Sequence, residues 1–201
     1  MMRNIGFAEA LKDTTKKHSW DCFVFQDVDL LTENDHNILA CSDEHPRHLS
    51  GAVDIFDYQL PYPQIFGGVV AISRRQFLLV NGYSNAYFGW GGEDDDLYER
   101  FRRQGIKINQ PPMNVSRYVM LSHKESQHAP DRFRWFHGKG RQQRRAFDGV
   151  NSLRYRLVAK RQHRLFTRVV VEIDQKDIQK HLERQVAEMP WWSTLRSCYR
   201  I

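Results

Sequence analysis

The residues best suited to chemistry lie in one short segment, in which glycines and a tryptophan precede four consecutive acids. Residues 89–96 read Gly-Trp-Gly-Gly-Glu-Asp-Asp-Asp. Adjacent carboxylates repel one another, so the positive end of a helix dipole or a bound ligand must offset their charge. The glycines let the backbone move while the ring of Trp90 covers a bound molecule, as is common in sugar sites. The alternative is an acidic first turn of a helix beside a buried tryptophan.

Two further patterns contain possible ligands for a divalent cation. Asp27 and Asp29 follow an apolar run at 22–25, and alternating carboxylates after a buried strand point in similar directions. Such a pair can bind a cation that holds a diphosphate. Met120 and His123 would complete an octahedral site with Asp29, in a mixed donor set that suits manganese more than magnesium. Each pattern alone is weak, because surface turns often contain Asp-x-Asp and histidines near strand ends are commonly hydrogen-bonded.

The elements that must position these residues are both strands and helices. Apolar runs and alternation predict strands at 22–25, 69–72, 118–121 and 166–173. Helical periodicity and capping residues, among them Ser73 and Gly105, predict helices at 5–12, 74–80, 93–104 and 175–188. These elements predict an α/β class with a mostly parallel mixed sheet, whose ligand crevice lies beyond the carboxyl ends of the strands.

The composition is that of a globular domain with a basic excess. The chain has 201 residues, of which 41% are hydrophobic, and no apolar run approaches the roughly 18 residues of a membrane helix. No secretory leader is recognisable. Thirty lysines and arginines face 24 acids, and the excess is concentrated between Arg132 and Arg168. This stretch could follow a polyanion such as a phosphorylated donor, or be a solvated basic face. It matches no nucleic-acid module, so we expect no nucleic-acid partner.

Three cysteines fit neither a zinc cluster nor a disulfide-dense scaffold. Cys22 and Cys41 flank the Asp27–Asp29 pattern, and they either form a disulfide in an oxidising compartment or remain two reduced thiols. Cys198 lies in the C-terminal tail. Asn114 begins an Asn-Val-Ser glycosylation sequon, which can be used only in the secretory pathway.

Eight segments in fixed order resemble the β-1,4-galactosyltransferases, which are manganese-dependent inverting glycosyltransferases of the Golgi. The segments are 4–10, 22–30, 34–37, 46–48, 66–69, 89–96, 120–123 and 148–153. The resemblance implies a GT-A-type nucleotide-sugar transferase fold in which 1–173 form the C-terminal two-thirds of the catalytic domain. The N-terminal nucleotide-binding portion is expected to be incomplete. It also implies the Golgi lumen, with a type II membrane anchor outside this chain. Residues 174–201 resemble no family segment and are expected to be a partly helical tail.

The same resemblance implies a role for each matching residue. The family's manganese ligands correspond to Asp29, Met120 and His123. Its catalytic group corresponds to Asp94 as the base, with Glu93 and Asp95 as acceptor and loop-ordering contacts. Donor contacts correspond to Asp27, Val28, Tyr62, Ile65, Gly68 and Trp90. Acceptor contacts correspond to Gly92, Glu93, Asp94, Asp95, Arg132, Phe133 and Phe136, the last three at the pocket for an N-acetyl group. Inversion needs such a base, a metal on the leaving UDP, and exclusion of water.

Two departures from the family pattern change the expected contacts with the donor, one at its sugar and one at its phosphates. UDP-galactose-using members carry a tyrosine where this chain has Ile65, and the smaller side chain leaves room for an acetamide. We therefore predict transfer of N-acetylgalactosamine from its UDP-sugar to a terminal N-acetylglucosamine of a glycoprotein or glycolipid, with UDP-galactose as the alternative donor. Ile55 replaces a lysine that contacts the donor phosphates, so that contact is lost unless a nearby arginine substitutes. The incomplete nucleotide-binding portion leaves a second alternative, a catalytically inactive sugar-binding relative.

Overall fold

The computed structural model describes residues 1–12, 20–124, 127–128, 132–137 and 141–188. Its helices are α1 (Met2–Leu11), α2 (Arg74–Leu79), α3 (Glu93–Arg103), α4 (Arg132–His137), α5 (Arg141–Arg144) and α6 (Gln175–Ala187). Its strands are β1 (Cys22–Gln26), β2 (Leu30–Thr32), β3 (Arg47–His48), β4 (Ala52–Val53), β5 (Val69–Ser73), β6 (Arg117–Met120), β7 (Arg156–Gln162) and β8 (Thr167–Glu172). Short 3₁₀ turns occupy Asp54–Phe56 and Val150–Ser152. No helix within these ranges is both long and apolar enough to cross a bilayer.

The main sheet has the order β1-β5-β3, with β5 at its centre and buried along its whole length. Its apolar side chains pack with those of α1, α2 and α3 into the largest core cluster, which includes Phe7, Phe25, Ile72, Phe77, Leu97 and Phe101. The helix α2 starts directly at the end of β5, because Ser73 and Gln76 form a reciprocal capping box. Because both faces of β5 are buried, the backbone of the preceding residues Gly67 and Gly68 is held in a defined position.

The second sheet has the order β2-β6-β4 and positions the predicted cation ligands. Leu30 pairs with Met120 in the antiparallel β2/β6 ladder. Only the β4/β6 ladder is parallel, and the other four ladders of the described residues are antiparallel. The α/β class is confirmed, but the expectation of a mostly parallel sheet is not met here. A continuous apolar run indicates a strand buried on both faces and carries no information on the direction of its neighbour.

Most predicted elements are present with shifts of one or two residues at their ends. The elements that sequence patterns missed are short or exposed, and β7 is the longest of them. Its side chains are exposed at every position except Ala159, so it lacks the apolar alternation that marks a half-buried strand. The predicted helix at 175–188 is observed as α6, whereas 189–201, including Cys198, lie outside the described residues.

A buried ionic network joins the first turn of α3 to α5. Asp96, in the first turn of α3, is fully buried and accepts hydrogen bonds from Arg100 Nε at 2.7 Å and Arg145 Nη2 at 2.8 Å. Asp148 contacts Arg144 Nε at 3.1 Å and Ser84 Oγ at 2.5 Å. Burial opposes the charge of Asp96, but the surrounding guanidinium groups lower its pKa to about 2. The fourth acid of the run is therefore part of the structural core.

Candidate active site

A cavity of about 710 Å³ lies between the start of α3, the 60–68 segment, the end of β6 and α4. Most of the predicted site residues line it: Asp27, Tyr62, Ile65, Gly68, Trp90, Gly92, Glu93, Asp94, Asp95, Met120, Arg132, Phe133 and Phe136. Val28, Asp29 and His123 are outside this lining set, and Val28 is almost fully exposed. The fold thus gathers residues that are more than 100 positions apart in the chain around one opening.

The loop before α3 requires its glycines. Gly89, Gly91 and Gly92 have φ values of 93°, 100° and 95°, a region that other residues rarely adopt. Trp90 is 59% exposed, and its ring lies 4.8 Å from that of His128. The alternative of a buried tryptophan is therefore wrong. Trp90 covers part of the cavity mouth and remains accessible to a ligand.

The three acids that face the cavity have different partners. Glu93 accepts a hydrogen bond from Arg3 Nη1 at 3.1 Å, and Asp95 accepts one from the Tyr62 hydroxyl at 2.9 Å. None of the described basic side chains forms an ion pair with Asp94. Burial, together with the negative charges of Glu93 and Asp95, raises the pKa of Asp94 to about 7. Asp94 is therefore the acid of the run that can exchange a proton near neutral pH.

Gly67 provides the space into which the Asp94 carboxylate fits. A Cβ atom on Gly67 would lie 2.7 Å from Oδ2 of Asp94. Gly67 is held from the opposite side, since its carbonyl accepts a hydrogen bond from Ser50 Oγ and lies 3.1 Å from His48 Nε2. Burial lowers the pKa of His48 to about 4, so this ring remains neutral. His48 lies in the family segment 46–48, but no role was assigned to it, and Ser50 lies in no family segment. Their contacts with Gly67 appear only when 48–50 and 67–69 are seen side by side.

Arg3 is the main site residue that sequence reasoning did not identify. Its Nη2 atom donates to Asp27 at 2.5 Å, while Nη1 donates to Glu93. One guanidinium therefore connects the predicted donor side of the cavity to the predicted acceptor side. The side chain also stacks over Tyr83, with 5.1 Å from Cζ to the ring centre. A lone arginine near the start of a helix gives no chemical signal, and the departure at Ile55 left open a substituting arginine without specifying which one.

The predicted cation ligands lie at the ends of β2 and β6. His123 Nε2 and Asp29 Oδ2 are 2.9 Å apart, and the backbone bond from Leu121 N–H to the Asp29 carbonyl sets this approach. His123 Nδ1 lies 2.9 Å from the Lys124 carbonyl. If Nδ1 carries the proton, Nε2 has a free lone pair, as a metal ligand requires.

This donor set fits a manganese ion in its chemistry. Among the described residues, no group of three or more His, Cys, Asp or Glu side chains is placed to hold a metal ion, and Asp29 and His123 would supply two ligands of these types. Met120 supplies a thioether at the cavity wall, and its backbone N–H is held by Asp54 Oδ1 at 2.9 Å. Carboxylate, imidazole and thioether donors together suit a borderline metal better than magnesium.

The helix α4 brings the predicted acceptor residues to the opening beside Trp90. The Arg132 guanidinium lies 5.9 Å from the Trp90 ring centre and 4.8 Å from that of Phe133. Phe133 is 63% exposed, and Phe136 also lines the cavity. The two aromatic side chains and Trp90 form apolar surfaces of the kind on which a sugar ring packs.

Outside the cavity, the cysteine pair and the glycosylation sequon have clear positions. Cys22 and Cys41 form a disulfide with their Cα atoms 5.6 Å apart, which confirms the paired alternative. It joins the start of β1 to the 34–46 segment. Asn114 of the sequon is exposed, so its side chain is accessible; its use as a glycosylation site stays a prediction.

Comparison with known proteins identifies the family. A sequence profile described as the N-terminal region of glycosyl transferase group 7 matches residues 1–42, and one described as the N-terminal domain of galactosyltransferase matches 47–124. Beta-1,4-galactosyltransferase 3 of Rattus norvegicus is 45% identical over 173 residues. The chain belongs to the β-1,4-galactosyltransferase family. Beta-1,4-galactosyltransferase 2 of Mus musculus is 42% identical over 173 residues.

This β-1,4-galactosyltransferase family chain spans less than half of these relatives. The alignments cover 85% and 86% of the chain but 42% of the rat protein and 46% of the mouse protein. A Drosophila β-1,4-galactosyltransferase 7 mutant, solved with manganese, UDP-Gal and xylobiose, superposes with a TM-score of 0.59 at 22% identity, covering 85% of this chain and 72% of that one. The same enzyme's catalytic domain with xylobiose gives a TM-score of 0.58. The GT-A-type fold expected from the sequence is confirmed.

Proposed function

We propose that this chain belongs to an enzyme that transfers galactose from UDP-galactose, with inversion, to the O4 hydroxyl of a terminal N-acetylglucosamine. The observation that carries the proposal is the placement of Asp94. Its carboxylate, with a pKa of about 7, lies in a cavity that is bounded by the Trp90 loop on one side and by Met120 on the other. A base near neutral pKa is what single displacement by a sugar hydroxyl requires.

In this mechanism Asp94 accepts the proton of the acceptor hydroxyl as that oxygen attacks the anomeric carbon. Tyr62 holds Asp95, and Arg3 holds Glu93, so both flanking carboxylates are fixed for hydrogen bonds to acceptor hydroxyls. Trp90 and Phe133 pack against the sugar and exclude water from the reacting atoms. Asp29, Met120 and His123 would hold Mn²⁺, which when bound neutralises the charge of the leaving UDP.

Galactose is proposed as the donor sugar in preference to the N-acetylgalactosamine expected from Ile65. The relatives at 42–45% identity are named galactosyltransferases, and the Drosophila structure contains UDP-Gal. Ile65 does line the cavity, so it sets how much room exists beside the sugar. Initial rates with the two UDP-sugars decide between them. A preference for UDP-N-acetylgalactosamine that reverses in Ile65→Tyr would restore the volume argument and refute galactose as the natural donor.

The role of Asp94 is tested by Asp94→Asn, with the exposed Asp35→Asn as a matched control. Loss of a general base lowers turnover by about 10²- to 10⁴-fold, so we expect that loss for Asp94→Asn and unchanged rates for Asp35→Asn. Manganese-dependent UDP binding, measured by calorimetry, should be the same in both. Near-normal turnover in Asp94→Asn would overturn the assignment. If the unmodified protein binds N-acetylglucosamine oligosaccharides but no UDP, it is instead the catalytically inactive sugar-binding relative.

The cellular setting is part of the proposal. We place the protein in the Golgi lumen, and support for this is the Cys22–Cys41 disulfide, which persists in oxidising compartments. Cell fractionation followed by thiol labelling tests it. A cytosolic protein with both thiols free would contradict it.

A further inference from the structure

The C-terminal helix α6 packs against the helix that carries the predicted acceptor residues. Ile178 and Leu182 lie one turn apart on the same face of α6, and both are buried. They belong to one core cluster with Trp135 of α4 and with Tyr87. Residues 174–201 resemble none of the family segments, so membership of the family does not explain what α6 contributes. Its contacts instead lead toward the candidate site.

The helix α4 presents different side chains to the cavity and to the core. Arg132, Phe133 and Phe136 line the cavity, whereas Trp135 is 7% exposed and belongs to the cluster that contains the buried face of α6. The helix spans only six residues. Helices of that length are not stable alone and depend on tertiary packing. The orientation of α4 therefore depends on how Trp135 is held.

Two arginines complete the surroundings of Trp135. Arg134 Nη2 donates to Glu183 Oε1 of α6 at 2.7 Å, and the Arg134 guanidinium lies 5.2 Å from the Trp135 ring centre. Arg144 of α5 lies 5.1 Å from the same ring centre and 5.9 Å from that of Tyr87. The indole is thus fixed by the apolar face of α6 and by cation–π contacts.

The same core cluster also supports the acidic loop. A Cβ atom on Gly92 would lie 2.9 Å from Cε1 of Tyr87, so the Tyr87 ring packs directly against the backbone at the start of α3. The predicted cation ligands are supported differently, because Leu30 and Met120 of the second sheet pack in another cluster. The acceptor side and the cation side of the cavity therefore rest on separate parts of the core.

We propose that α6 is a positioning element for the acceptor sugar. Ile178 and Leu182 hold the cluster around Trp135, and Trp135 sets the direction in which α4 presents its cavity-lining side chains. This inference rests on the proposed function, which places the acceptor against α4. Because the cation side packs in a separate cluster, loosening α6 weakens acceptor binding and leaves donor binding unchanged.

The first test compares Ile178→Ala with Ile72→Ala, which removes the same atoms from a buried position in the main core cluster. Packing changes that reach a site indirectly alter its affinity by a few-fold to about 30-fold, so we expect the KM for N-acetylglucosamine to rise about tenfold in Ile178→Ala. The KM for UDP-galactose should stay the same. Ile72→Ala should lower the melting temperature without changing either KM, and Ile178→Val should restore most of the acceptor affinity.

A second pair of variants uses two exposed ion pairs of α6. Glu183→Gln breaks the contact with Arg134 of α4, and Asp177→Asn breaks the contact with Arg154 at 2.9 Å, outside α4. Exposed ion pairs are weak, so Glu183→Gln should raise the acceptor KM only about twofold, and Asp177→Asn should not change it. Both changes lie on the surface and preserve the fold, so this pair decides the question if Ile178→Ala does not fold. Equal KM values in the two variants would then contradict the proposal.

Hydrogen exchange separates this inference from the proposed function. We expect the amides of α4 to exchange faster in Ile178→Ala than in Ile72→Ala. Unchanged exchange in α4, or an equal rise in the acceptor and donor KM, would overturn the positioning role. If the unmodified protein transfers no galactose, the proposed function fails, and calorimetric binding of N-acetylglucosamine oligosaccharides to the same variants replaces KM. A protein that also binds none of these sugars would overturn the role of α6 in acceptor binding.

Discussion

Asp94 and Asp96 are separated by one residue in the first turn of α3, yet their surroundings move their pKa values in opposite directions. Asp94 faces the cavity beside Glu93 and Asp95, and burial together with their charge raises its pKa to about 7. Asp96 faces the interior among Arg100, Arg145 and Arg144, and its pKa is about 2. The helix turn directs one carboxylate into the cavity and the other into the buried ionic network. Identical residue types in one acidic run therefore have different roles because their neighbours differ.

The largest effect expected from this comparison is on stability. Asp96→Asn leaves the guanidinium groups of the buried network without a matching charge, and breaking such a buried pair costs about 3–5 kcal/mol in the free energy of unfolding. Urea denaturation of this variant beside Asp35→Asn measures the loss. A change no larger than that of the exposed control would show that the network does not depend on Asp96.

The next effect is on catalysis through the space at Gly67. Gly67→Ala places a methyl carbon against the Asp94 carboxylate, and displacement of a catalytic group by about 1 Å costs about 100-fold in rate. We expect that loss in kcat/KM for galactose transfer with little change in unfolding free energy. Gly6→Ala is the control, because nothing lies within 4 Å of its added Cβ. Equal rates in both variants would mean that Asp94 is not held against Gly67.

A third prediction concerns the pH dependence of stability. The pKa of Asp94 is raised on folding, so the unfolded chain loses this proton near pH 4 while the folded protein keeps it up to about pH 7. Stability contributed by the protonated form is therefore lost as pH rises through this window. Asp94→Asn removes the effect, and its gain in unfolding free energy over the unmodified protein should be about 3 kcal/mol larger at pH 8 than at pH 5. A gain independent of pH would contradict a raised pKa.

The smallest effect is expected at Arg3. Arg3→Leu leaves Asp27 and Glu93 unneutralised in the proposed donor site, and loss of charge-assisted hydrogen bonds of this kind should raise the KM for UDP-galactose about tenfold. Turnover at saturation should change less. Arg3→Lys should rescue only in part, because a single ammonium does not span two carboxylates as a guanidinium does. Full rescue by lysine would assign Arg3 a role as a simple charge.

The sequence was informative where a local rule determines the structure. Ser73 and Gln76 have the spacing of a capping box, and the α2 start follows from it. Apolar runs located β1 and β5 but not their antiparallel direction, which depends on partners distant in the chain. Arg3 was missed for the same reason, since its two carboxylate partners lie 24 and 90 residues away.

The sequence predicted which residues belong to the candidate site better than it predicted how those residues are arranged. The family segments and the matches outside them identified 13 of the 27 residues that line the cavity. They could not distinguish Asp94 from Asp96 by physical environment, because that difference depends on arginines at 144 and 145 and on a glycine at 67.

The most direct test of this account is a carboxyl ¹³C NMR titration that follows Asp94 and Asp96 in the same protein, assigned with Asp94→Asn and Asp96→Asn. We predict that the Asp94 resonance titrates at about pH 7 and that Asp96 stays ionised down to about pH 2. Titration of Asp94 near its ordinary value of 3.8 would contradict the account, because that carboxylate would then be an ordinary surface acid.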